Sequence, residues 1–137
     1  MTASIMLAAR PAAHTHLVKN AARSLDYQVI LAPSIPLALF LARKNLPDLI
    51  ICGTELIDGT VHDLLAELRA DTELRVIPCI VLTHAGLSKA EIDPFMQSGA
   101  ALVLDQTLTP ERLASAIRPL ANTEKSPLDM RVIDTTE

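Results

Sequence analysis

Residues 49–52, Leu-Ile-Ile-Cys, form an unbroken apolar run, with Pro47-Asp48 before it and Gly53 after it. A strand with one wet face alternates apolar and polar residues. A strand that is apolar at every position is buried on both faces, as at the centre of a parallel sheet. The turn formers at each end hold the run to strand length. Parallel neighbours must reach such a strand through crossovers of a dozen or more residues, usually helical, so the flanking sequence has to alternate strand and helix.

It does so as far as Ala121. Ser4 to Ala8 reads as a first strand, followed after Pro11 by an amphipathic helix with Ala13, Leu17, Ala21 and Leu25 on one stripe. Tyr27 to Ala32 is a second strand, and Ser34 is an N-cap for a helix running to about Lys44. Leu46-Pro47 ends that helix before the third, central strand. After the turn signal Asp58-Gly59, the spacing of Val61, Leu64, Leu65 and Leu68 gives a third helix. Ile77 to Thr83 is a fourth strand. The stretch from Gly86 to Ser98 admits two readings. Ser88 and Glu91 have capping-box spacing, which places Pro94 inside a helix, or Asp93 caps a very short helix that begins at Pro94. Ala101 to Leu104 is a fifth strand, and Thr109-Pro110-Glu111 starts a last helix with Leu113, Ile117 and Leu120 inward. The expected fold is α/β, a doubly wound five-stranded parallel sheet with five flanking helices. The flavodoxin-like order 2-1-3-4-5 is the one expected, with residues 1–121 as the domain.

Bulk properties narrow the function. Half of the 137 residues are hydrophobic but only 2% are aromatic, so the core rests on Leu, Ile, Val and Ala. No apolar run approaches the ~20 residues of a membrane span. The N-terminus lacks the basic start and apolar stretch of a signal peptide. These features lead us to expect a cytoplasmic protein with no membrane partner. A formal net charge of −4 argues against nucleic acid, which needs a basic face. Cys52 and Cys79 lie inside apolar strands and read as buried reduced thiols.

In the expected topology, ligands sit at the carboxyl ends of the central strands. The residues there are Ala8, Ala9 and Arg10, then Gly53, Thr54 and Glu55, then Thr83 and His84, then Asp105, Gln106 and Thr107. With these in view, the chain resembles the receiver domain of two-component response regulators. The resemblance covers about Ser4 to Ala121. It is carried by Pro47-Asp48-Leu49-Ile50, Leu64-Leu65-x-x-Leu68-Arg69, Ile77-Pro78-x-x-Val81-Leu82-Thr83, Gly99-Ala100 and Thr109-Pro110-Glu111-x-x-Leu113.

The resemblance implies a chemistry that these residues do not supply. Receivers hold magnesium with two acidic residues after the first strand, positions that are Ala8 and Ala9 here. Their phosphoryl-accepting aspartate falls on Gly53 and their lysine on Gln106; of the five positions, only Thr83 matches. The proline after the lysine is Thr107, and the aromatic toggle residue of the fifth strand is Val103. Magnesium needs carboxylate or other oxygen ligands, an acyl phosphate needs a carboxylate nucleophile, and transferring phosphoryl charge needs a cation. We therefore expect no catalytic residue, no metal and no cofactor. The expected role is that of a non-phosphorylatable receiver-like protein, an interaction module in two-component-type signalling, rather than an enzyme. The partner expected is a signalling protein, with a homodimer as a further arrangement. Two alternatives stay open: a phosphotransfer switch using Glu55, Asp58 or Asp105, and a small-molecule or metal sensor at the strand ends that draws on His14, His16, His62 and His84.

Two features suit binding. In the second helix Ala38, Leu41 and Ala42 share the face toward the sheet, which leaves Pro36, Leu37 and Phe40 as an outward apolar cluster and a candidate interaction surface. Residues 122–137 read as a polar tail or linker. Within it Leu128, Met130 and Val132 alternate with Asp129 and Arg131, which fits either a disordered end or an added strand. A trans peptide is expected before Thr107, because a cis bond before a non-proline residue costs about 2.5–4 kcal/mol.

Overall fold

The computed structural model describes residues 3–121. The element order is β1 (Ser4–Ala8), α1 (Thr15–Leu25), β2 (Gln28–Ala32), α2 (Ile35–Asn45), β3 (Leu49–Gly53), β4 (Glu55–Leu56), β5 (Gly59–Thr60), α3 (Val61–Ala70), β6 (Cys79–Thr83), α4 (Lys89–Gln97), β7 (Leu102–Asp105) and α5 (Pro110–Ala121). The main sheet is all parallel with order β2-β1-β3-β6-β7. Counting only its own strands, this is 2-1-3-4-5, the flavodoxin-like topology. The small antiparallel hairpin β4–β5, which closes around Ile57-Asp58, was not anticipated.

Every residue of β3 is buried. Because successive side chains point to opposite faces, this one strand feeds both halves of the core. Ile50 and Cys52 join Met6, Leu64, Leu65 and Leu68 on the side of α2 and α3. Leu49 and Ile51 join Val18, Leu113 and Ile117 on the side of α1 and α5. Cys52 and Cys79 are both buried free thiols, and contact with Cys79 together with burial holds the Cys52 thiol well above its ordinary pKa.

Local chemistry sets the helix ends. The Ser34 hydroxyl accepts from Leu37 N at 3.4 Å, and Asp58 in the hairpin accepts from Ile35 N at 3.0 Å, so the start of α2 is tied to β4–β5. Thr60 and Asp63 form a capping box at α3 that the sequence reading passed over, although the spacing is present. At α4 the structure selects the first of the two readings. Ser88 and Glu91 form the capping box and Pro94 lies inside the helix. This helix has no buried residue of its own and leans on the core through Phe95. Gly99 ends it with a left-handed φ of 117°, a conformation that glycine adopts at little cost.

Some boundaries differ from expectation. Ala13 and His14 precede α1 rather than belonging to it, and β6 begins at Cys79 because Ile77 closes a turn onto Leu74 O. The described residues contain no cis peptide bond, so the bond before Thr107 is trans. None of their helices is long and apolar enough to cross a membrane. The tail expectation, including the Leu128–Met130–Val132 alternation, lies outside the described residues.

Candidate functional site

The carboxyl ends of β1, β3, β6 and β7 meet at one rim of the sheet. Ala8, Ala9, Gly53 and Thr83 are all buried there, and Gln106 is exposed beside them. Ala9 and Gly53 bring almost no side-chain volume on one side of this rim, and protein interiors do not leave such space empty. The His14 ring lies over it. A Cβ placed on Gly53 would lie 2.9 Å from the Ala9 Cβ and 3.2 and 3.3 Å from Cδ2 and Nε2 of the His14 ring. The imidazole therefore packs directly over Gly53. Nothing in the sequence pointed to His14 as the covering group. The available signal was the deficit itself, Ala9 and Gly53 meeting at the ends of the neighbouring strands β1 and β3.

His14 reaches this position through an unusual backbone. It precedes α1 with φ 62°, and Ala12 two residues earlier has φ 70°. Left-handed conformations at non-glycine residues cost on the order of 1–3 kcal/mol and persist only where the surroundings impose them. Histidine tolerates the region better than most residues, alanine less so. The loop is anchored from the far side by Arg10, whose N–H donates to Glu55 O at 3.2 Å.

Burial holds the His14 pKa below its ordinary value. Ordinary histidine titrates near pH ~6.5. With the folded value depressed, the unfolded chain binds the proton more readily. The stability contributed by neutral His14 is then fully present above about pH 6.5 and is lost as pH falls through the folded value. We expect His14→Gln to flatten this acid-side loss relative to the native chain in denaturant titrations between pH 7.5 and 5. Identical pH profiles for the two proteins would mean the ring is not held in the pocket.

The other polar groups at this rim are engaged elsewhere. The Thr83 hydroxyl donates to Leu104 O at 3.4 Å, and Gln106 N donates to Thr83 O at 2.7 Å, which pins the β7–α5 loop. Asp105 accepts from both N and Oγ1 of Thr107 at 2.8 Å, bonds that hold its carboxyl below the usual range. Asp58 accepts from Ile35 N, and Glu55 is 3.9 Å from Arg10 Nη1 with both side chains exposed. Magnesium does not fit the pocket, where the alanine methyl groups offer no oxygen ligand. The four histidines do not gather at one point: His14 and His16 line one recess with Gln106 and Thr107, whereas His62 stacks on Phe95 and pairs with Ser98, and His84 contacts Ala85 O. Among the described residues no group of three or more His, Cys, Asp or Glu is placed to hold a metal.

Away from the rim, α2 has the phase read from its sequence. Ala38 and Ala42 are buried, Leu41 is half-buried, and Pro36, Leu37 and Phe40 are exposed, Phe40 at 58%. The Lys44 ammonium sits 5.9 Å from the centre of the Phe40 ring.

No protein-family model matches the chain. It is similar to the polar-differentiation response regulator DivK of Brucella ovis, at 28% identity over 118 residues, which is 86% of this chain and 95% of that protein. Among solved structures it is similar to the receiver domain of the sensor histidine kinase PA1611 of Pseudomonas aeruginosa, with a TM-score of 0.78 and 21% identity over 90% of this chain and all of that one. The domain has the receiver fold. The chemotaxis response regulator CheY4 of Vibrio cholerae superposes equally well, with a TM-score of 0.78 and 19% identity over 88% of this chain and 99% of that one. The PA1611 receiver carries a magnesium ion coordinated in its active-site cleft. The same rim in this chain carries Gly53 beneath the His14 ring with Ala9 beside it, and Ala8 on the opposite face of the sheet.

Proposed function

We propose that this receiver-fold domain takes up neither magnesium nor a phosphoryl group, and that it serves two-component-type signalling as a protein–protein interaction module rather than as an enzyme. The observation that carries this reading is the packing of His14 over Gly53, beside Ala9. The side chain needed for an acyl phosphate is missing, and its space is taken by a neutral ring. Electrostatic stabilisation of a phosphoryl group requires positioned cations, and Gln106 provides no charge. A switch built on substitute acids has less support, because Glu55, Asp58 and Asp105 each have other partners. The likeness to a response regulator supports a signalling role in which binding to another protein is the output.

Titrating the labelled protein with magnesium tests the metal half of this reading. Amide resonances of Ala9, Gly53, Thr83 and Gln106 should not move in a saturable way. A saturating shift centred on these residues would return the domain to the metal-dependent class.

A further inference from the structure

Among the described residues, one edge of the main sheet has no strand beside it. Within the described residues β2 pairs only with β1, in an unbroken register, and its sequence, Gln-Val-Ile-Leu-Ala, has no charge or proline. Open edges in natural proteins are normally blunted by one of these devices, because unpaired backbone groups template association. Gln28 N donates to Ala3 O, so with the alternation of a ladder Gln28, Ile30 and Ala32 turn their backbone groups toward β1. Val29 and Leu31 then turn theirs to the free edge. Both side-chain faces of this edge are apolar as well. Val29 packs on the α1 side, where Leu31 is 44% exposed and lines a recess with Leu7, Pro11 and Ala12. Ile30 packs on the α2 side, whose outer surface is Leu37 and Phe40.

From this juxtaposition we infer that β2 is the centre of a two-fold interface with a second copy of this chain, in which the two β2 strands pair antiparallel about Ile30 and join the sheets into one.

The second copy fits better than an arbitrary strand, because the edge is self-complementary. An antiparallel pairing centred on Ile30 places Val29 opposite Leu31 of the partner, and these are the two residues whose N–H and C=O groups face outward. Each such pair exchanges two hydrogen bonds. A two-fold axis normal to the sheet keeps faces together, so Val29 meets the partner's Leu31 on one face and the two Ile30 side chains meet on the other. Charge selects the same arrangement. α2 runs antiparallel to β2, with Asp58 held at its start and Lys44 near its end. Antiparallel association sets each Lys44 toward the partner's Asp58 end, whereas a parallel one would set like charges together. Phe40, midway along α2, falls near the axis. This interface goes beyond the signalling reading and does not depend on it.

Sedimentation of the full chain over a concentration series tests the proposal, together with amide hydrogen exchange at high and low concentration. The expected result is reversible association to a dimer, with the Val29 and Leu31 amides protected only in the dimer. Leu31→Lys and Phe40→Asp should each raise the dimer dissociation constant by at least ~10-fold, since each removes apolar burial twice per dimer. A monomer at every concentration would overturn the proposal. So would a dimer whose Val29 and Leu31 amides exchange as fast as in the dilute protein. The exchange measurement needs no variant, so a folding defect in either substitution leaves the test intact.

Discussion

Gly53→Asp should destabilise the domain by about 2–4 kcal/mol without restoring phosphoryl uptake. The strand itself tolerates a side chain, because no left-handed φ is involved. The obstacle is space and charge. The new Cβ would stand 2.9 Å from the Ala9 Cβ, a rigid neighbour, and against the His14 ring. Overpacking of this kind costs about 1–3 kcal/mol, and an unpaired buried carboxylate adds more unless it stays protonated. Gly53→Ala carries only the first cost and should fall at its lower end. Combining Gly53→Asp with His14→Gly should return much of the loss, because the two sites are in contact and their effects are coupled. Urea denaturation of the native chain, Gly53→Asp, His14→Gly and the double variant at neutral pH measures this cycle. If Gly53→Asp matches the native chain in stability, the His14 ring does not occupy the pocket and the account of the site fails.

Ile51→Ala should cost about 2–5 kcal/mol, the range for emptying a fully buried aliphatic position. Ile51 lies at the middle of β3 with no exposed surface and packs on the α1–α5 side. Phe40→Asp makes a larger chemical change at an exposed site, yet the isolated domain should lose no more than about 0.5 kcal/mol. The contrast is the informative part. Comparable losses at the two positions would mean that Phe40 is core and that the phase of α2 is wrong. The comparison belongs at concentrations low enough to keep the chain monomeric, so that folding and association are read separately.

Periodicity made the sheet legible in advance. An all-apolar strand at residues 49–52 and apolar stripes of helical spacing between short strands leave little freedom once crossovers are right-handed. The strand ends beside Ala8, Ala9, Gly53, Thr83 and Gln106 were legible too, because they follow from strand boundaries. Besides the Thr60–Asp63 capping box, three things escaped. The β4–β5 hairpin contains two-residue strands, below the length at which alternation carries information. The helix at Pro94 stayed ambiguous because a proline penalty and a capping box compete, and the capping box prevailed. The role of His14 depends on a backbone turn with two left-handed residues, Ala12 and His14. Neither is a residue type that announces such a turn, and the contact is made through space to Gly53 rather than along the chain.

The most direct test of the account is intact-mass spectrometry after incubating the native chain with a small phosphodonor and magnesium. The account predicts no added phosphoryl group at any time point, because an imidazole lies over Gly53, a residue with no carboxylate. An acid-labile adduct mapped to Glu55, Asp58 or Asp105 would contradict it.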